Sequence, residues 1–152
     1  MSRSGYSDDL DDNRQLTRWR GMVASATRGR RGQKCLIDLL AALDAMPKKA
    51  LIAHELETAD GEVCALGALG KSRGIDMQKL DPEEPESVAA AFDIATPLAQ
   101  EIVYMNDEHL GSIWNEATKR YDDITPEVRW ARMRSWVVSQ IRPGGEISAH
   151  AR

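Results

Sequence analysis

The chain has 152 residues, of which 42% are hydrophobic and 29% charged, with a formal net charge of −4. That is a one-domain length with an ordinary globular balance, which excludes collagen, a disulfide scaffold and a fully disordered chain. No apolar run approaches the ~18 residues that cross a bilayer, and the negative sign argues against a nonspecific nucleic-acid binder.

Residues 1–12 are polar and without periodicity, and a frayed tail is expected there. No apolar stretch follows Arg3, so the segment does not read as a secretory signal. The two cysteines, Cys35 and Cys64, then belong in a reducing, cytoplasmic setting as free thiols. No CxxC or HxxxH spacing exists, so no metal site and no cofactor are expected.

Leu16, Trp19, Met22, Val23 and Ala26 recur at helical spacing, and Gly29 should end that helix. Arg28-Gly-Arg-Arg-Gly32 reads as a basic surface turn. A second stripe, Leu36, Leu39, Leu40, Leu43 and Met46, stops at Pro47. Residues 50–57 and 62–65 flank Asp60-Gly61 and predict a β-hairpin with Ile52, His54 and Leu56 on one face. Cys64 to Gly70 reads as a short helix with small faces, closed by Gly74. Asp81-Pro-Glu-Glu predicts a capped helix start, with Val88, Ala91, Phe92 and Ala95 as its stripe. Thr96-Pro97 restarts the chain as a helix carrying Leu98, Ile102 and Met105 and ending at Asn106-Asp107. A loop through Gly111 leads to Ile113-Trp114. Thr125-Pro126-Glu127 opens a last helix with Trp130, Met133, Val137 and Ile141, which ends at Pro143. The expected fold is mainly α (α+β): five or six helices and one small hairpin, a single globular unit over 13–142 and a loose tail over 143–152.

Charge is segregated. Between Asn13 and Lys34 there are seven Lys/Arg and no acid; between Asp81 and Thr118 there are nine acids and no Lys/Arg. One reading is a basic surface for phosphates made by Arg18, Arg20, Arg28, Arg30, Arg31 and Arg132, with Trp19 and Trp136 for stacking. The plainer reading packs basic elements beside acidic ones.

Few residues converge on chemistry. His54 shares an apolar face and reads as a core histidine. Cys64, at a helix start, would suit a nucleophile, yet among Val63, Ala65 and Leu66 it reads as a small buried hydrophobe. Asn106-Asp-Glu-His109 is the densest polar cluster. Neighbours along a helix do not face one another, so these four read as a helix-end turn whose side chains satisfy backbone groups. No catalytic residue is assigned.

Gly61-Glu-Val-Cys-Ala-Leu-Gly-Ala-Leu-Gly70 together with Asn106-Asp-Glu108 resembles a group of small uncharacterised phage, prophage and actinobacterial proteins. These carry a WCALGAL-like segment and, downstream, a helix ending in Asn-Asp. Val63 stands where that group often has Trp. The resemblance implies a mobile-element origin and a compact helical domain, with no reaction attached. The recurring pair suggests that Asn106 and Asp107 brace the start of the Cys64 helix, with Cys64, Asn106, Asp107 and Glu108 as a structural or polar site.

Three functions follow in order. The first is a small cytoplasmic interaction protein that binds a host or phage protein, with inhibition of a host defence complex as one form. The second is a nucleic-acid-binding accessory protein using the arginines above. It requires them on one open face and unpaired with Glu83, Glu84 or Asp93. The third is a small hydrolase or transferase working with Cys64, His54 and Asp107 around a pocket. The residues favour a non-enzyme, and no membrane partner is expected.

Overall fold

The computed structural model describes residues 3–4, 13–109 and 111–143. Among these residues the chain is mainly α, with six helices and one two-stranded antiparallel hairpin. In chain order they are α1 (Asn13–Arg28), α2 (Arg30–Ala45), α3 (Ala65–Arg73), α4 (Pro85–Phe92), α5 (Thr96–Tyr104), β1 (Ser112–Asn115), β2 (Arg120–Asp123) and α6 (Pro126–Gln140). A π-helical turn, Met105–His109, extends α5.

α2 is the central helix, with α1, α3 and α6 packed against it; α5 packs on α1, α3 and α4. Leu36, Leu39 and Leu43 of α2 meet Leu66 and Leu69 of α3, Phe92 of α4, Leu98 and Ile102 of α5, and Met133 and Val137 of α6, all fully buried. Each such side chain contributes roughly 1.5–3 kcal/mol by leaving water. An exposed ion pair such as Arg134–Asp44 stays in water and adds little, so the leucine-rich core decides the packing. α1 is more loosely set than its stripe implied. It buries Val23 and Thr27, whereas Leu16 and Met22 remain 44% and 46% exposed.

The run Arg28–Gly32 is not a surface turn. Gly29 alone separates α1 from α2, and Gly32 is buried inside α2. A Cβ on Gly32 would stand 1.9 Å from the Ala26 carbonyl oxygen, so only glycine lets α2 back onto the end of α1. Gln33 ties this junction to the end of α6. Its Nε2 donates to the carbonyls of Thr27 (2.7 Å) and Gln140 (3.1 Å), and its Oε1 accepts from the Arg142 N–H.

The helix expected at Asp81 begins instead at Pro85. Started at Pro82, it would place Pro85 in its second turn, where the ring lacks the N–H and strikes the carbonyl four residues back. Asp81 caps a tight turn instead, and Pro85 takes a first-turn position, where it is tolerated.

The expected hairpin at 50–57 and 62–65 is reduced to one bridge, Glu57 with Val63. The turn is present, with Gly61 at φ 85°, but the first arm breaks at Ala53-His54, where His54 adopts φ 73°. His54 is therefore an exposed turn residue, not a core histidine. The hairpin forms later, at 112–123, with Trp114 opposite Tyr121. Asn115 shapes its loop by accepting from the N–H groups of Ala117 and Thr118.

Two residues of the expected frayed tail, Arg3 and Ser4, are buried; the rest of 1–12, and the tail beyond 143, lie outside the described residues.

α3 approaches the 50s loop across Gly67. A Cβ there would meet the Leu56 carbonyl oxygen at 1.9 Å and Val63 Cβ at 2.9 Å. Gly67→Ala should therefore destabilise the fold by about 1–3 kcal/mol, as overpacking does, read as a lowered denaturation midpoint. An unchanged midpoint would show that α3 can shift away at no cost.

Candidate functional site

The polar residues gather around the π-helical turn after α5. Asn106 is 1% exposed. Its Oδ1 accepts from the N–H of Ala65, the first residue of α3, at 3.1 Å. Its Nδ2 donates to the Ile52 carbonyl at 2.9 Å and to Asp107 Oδ1 at 2.8 Å. One side chain thus satisfies a donor that α3 leaves open at its start and a carbonyl from the interrupted arm. Cys64 supplies the other cap: its Sγ accepts from Gly67 N–H at 3.4 Å. The 50s arm keeps backbone bonds to 62–64, from Ile52 N–H to Val63, Cys64 N–H to Leu56 and Thr58 N–H to Glu62, while the Ile52 carbonyl and the His54 N–H at its break are taken by Asn106 and Asp107.

Asp107 is the charged centre, with a side chain 4% exposed. Arg3 meets it through two parallel bonds, Nε to Oδ2 at 2.6 Å and Nη2 to Oδ1 at 2.9 Å. The backbone N–H of His54 donates to Oδ1 at 3.2 Å, and the His54 ring Nδ1 lies 3.8 Å from Oδ2. Burial by itself would raise the Asp107 carboxyl; the Arg3 guanidinium, the Asn106 amide and the His54 N–H outweigh it and hold it below the usual carboxylate range. Burial likewise pulls the Arg3 guanidinium down, while Cys64 and Asp107 more than offset it and leave it raised. Beside them, Ser4 Oγ donates to Glu108 Oε2 at 2.6 Å. Arg129, 8% exposed, donates to the carbonyls of Asn106 (3.0 Å) and Leu51 (3.4 Å). Its burial holds its guanidinium below the ordinary value, against the opposing pull of Asp107 and Asp123.

The structure thus brings Cys64, Asn106, Asp107, His54 and Glu108 into one neighbourhood and adds Arg3, Ser4 and Arg129. Arg3 and Ser4 carried no signal in a tail without periodicity. Arg129 did carry one, since it shares an i, i+4, i+8 stripe with Met133 and Val137. Cys64 is 1% exposed. A cavity of about 530 Å³ opens nearby among Ala42, Met46, Ile52, Val63 and Ala68, with Lys71 at its rim, but Cys64, His54 and Asp107 do not line it. Cys35 is equally buried in α2, and that burial pushes its thiol up to about 11. Among the described residues no group of three or more His, Cys, Asp or Glu could hold a metal ion.

The six arginines of the basic reading are dispersed. Arg20 forms a two-pronged pair with Glu101 of α5, at 2.9 and 2.8 Å, and Arg31 pairs with Asp93 at 3.3 Å. Arg18, Arg28 and Arg30 lie exposed on α1 and at the start of α2. Arg132, on α6, donates to the Ser112 carbonyl of β1 at 3.2 Å. Basic α1 lies against α5, whose one acid, Glu101, pairs with Arg20, so part of the charge segregation is internal neutralisation.

Compared with known proteins, the chain matches no family model, no curated protein and no solved structure.

Two variants test the bracing. Asn106→Ala orphans the Ala65 N–H and the Ile52 carbonyl and should cost about 2–6 kcal/mol, at ~1–3 for each stranded group. Asp107→Asn leaves the Arg3 charge buried without its partner and should cost about 3–5 kcal/mol. The Asp107 carboxyl ionises at lower pH in the folded than in the unfolded chain, so unfolding below neutrality takes up a proton. Its contribution is full above the unfolded value near ~4 and is lost as pH falls through the folded one. Denaturation curves from pH 7 to 2 should show the wild type losing its advantage over Asp107→Asn in that acid window. A constant difference would remove the ion pair from the stability ledger.

Proposed function

We propose that the protein is a small interaction module, of the mobile-element kind its CALGAL segment suggests, that docks on a host or phage protein through the β1–β2 hairpin. The observation that carries this reading is the hairpin's open apolar surface. Ile113, Trp114 and Tyr121 are 51%, 46% and 71% exposed. Trp114 and Tyr121 stack edge to face with ring centroids 5.1 Å apart, on opposite strands of one pair. A two-stranded hairpin is marginal in water without a covering layer, and large exposed aromatics on it lose more water on binding than any other side chains present. Its local bonds hold the presentation steady: Trp114 Nε1 donates to Glu116, Lys119 pairs with Glu116, and Asn115 donates to Asp122. Glu116, Lys119, Arg120, Asp122 and Asp123 give a mixed-charge rim around an apolar centre, the ordinary layout of a protein-binding patch.

The competing readings have less support. Arg20 and Arg31 are committed to Glu101 and Asp93, which removes two of the six arginines from any phosphate-binding face. A hydrolase centred on Cys64 needs an open pocket at the thiol, and Arg3 and the start of α3 pack around it. A host defence complex as target is one form of the proposal, and cytoplasmic action goes with it. No helix among the described residues is long and apolar enough to cross a membrane.

The test is capture from nuclease-treated host lysate at two salt concentrations, with the wild type and a Trp114→Ser/Tyr121→Ser variant. A stoichiometric protein partner that survives nuclease and salt, and is lost with the double variant at an unchanged melting temperature, is the expected result. Recovery of nucleic acid alone, released by salt, would transfer the function to the arginines. A partner retained by the double variant would move the docking surface elsewhere.

A further inference from the structure

The Asp107 seat is built without Arg3. Its carboxylate is aimed by Asn106 Nδ2 and by the His54 N–H, and those groups are set by the start of α3, the Ile52 carbonyl and the left-handed backbone at His54. These are neutral donors, and a carboxylate 96% out of water requires a counter-cation. The one other buried arginine nearby, Arg129, spends its described bonds on backbone carbonyls and gives none to Asp107. Arg129 feels the Asp107 charge from a distance, but among the described bonds the only cationic hydrogen-bond donors to this pre-aimed carboxylate come from residue 3, 104 positions away in the chain.

The seat is selective. Two parallel N–H bonds to one carboxylate need the planar fork of a guanidinium, which an ammonium does not have. Glu108 adds a second contact by accepting from the hydroxyl of the next residue, Ser4. Arg3 also fits imperfectly. Its side chain is 2% exposed, yet its Nη1 has no hydrogen-bond partner. A buried donor left unmade weakens the hold of the seat on any guanidinium, the tethered one included.

We propose that Asp107, Asn106, Glu108 and the His54 N–H form a binding site for an arginine–serine peptide segment, filled in cis by Arg3-Ser4 and exchangeable with such a segment of a partner protein. The site is separate from the hairpin, so the hairpin variant leaves it intact and the two proposals fail independently.

Full-length Arg3→Ala vacates the seat. Methylguanidinium at sub-denaturing concentration should raise its melting temperature saturably, methylammonium at equal ionic strength should not, and Arg3→Ala/Asp107→Asn should not respond. An equal response to methylammonium, or any response in the double variant, overturns the site. If Arg3→Ala does not fold alone, recovery of folded protein on refolding with methylguanidinium, dependent on Asp107, supports it; no recovery overturns it. N-acetyl-Arg-Ser-amide should bind Arg3→Ala more tightly than N-acetyl-Arg-Ala-amide, and equal affinity overturns the part assigned to Glu108. In the wild type, excess Arg-Ser peptide should abolish the protected Arg3 Nε–H signal in NMR spectra. A signal that persists at saturation makes Arg3 a fixed structural latch and overturns exchange.

Discussion

The carboxamide of Asn106 ties together three segments of the chain: the start of α3, the 50s arm and the π-helical turn. It receives the first N–H of α3, gives one hydrogen to the carbonyl of Ile52 and gives the other to Asp107. Because the group is buried, each of these bonds forms where the alternative is a stranded polar atom, and that asymmetry makes a buried network specific. The start of α3 positions Cys64 and Gly67; the Ile52 carbonyl positions the break at His54; and the Asp107 carboxylate positions Arg3. The polar neighbourhood of the protein is a consequence of one amide placed in a π-helical turn.

Charge plays two different parts. Where basic α1 lies against α5, Arg20 grips Glu101, the one acid of that helix, with both nitrogens. Glu101 is 5% exposed whereas the Arg20 side chain is half in water, so the pair shields a carboxylate more than it staples two helices. At the π-helical turn, both Arg3 and Asp107 are withdrawn from water. There the pair works as a lock whose parts must both be present, because either charge alone would be stranded. The open aromatic hairpin is a third kind of surface, on which little is neutralised and little is buried, and which stands clear of the leucine core.

The helices were legible because their signals are local. Leucine periodicity marks α2, Thr125-Pro126 marks the start of α6, and Gly74 marks the end of α3, each through short-range sterics or capping. The hairpin was misplaced for the opposite reason. Asp60-Gly61 does make a turn and backbone bonds join its arms, but the first arm breaks at His54, where Asp107 takes the N–H and Asn106 the preceding Ile52 carbonyl, from about fifty residues downstream. The true hairpin at 112–123 has one apolar pair and mostly polar neighbours, too weak an alternation to stand out. Asp81-Pro82 carries a helix-start signal, but the ring of Pro85 three residues on sets the real boundary.

The sequence alone determined a mainly helical fold, the Leu-rich core, the buried Cys64 and the two segments, Cys64–Gly70 and Asn106–Glu108, that frame the polar site. Tertiary structure alone decided through which atoms these segments touch, that His54 faces water while its backbone serves Asp107, and that Arg3 leaves the expected tail to pair with a buried carboxylate. The division follows from range. Periodicity, caps and glycine ends act over a few residues and are written in the local chain. A buried ion pair joining positions 3 and 107 arises only when packing has removed the water that would otherwise satisfy each charge separately.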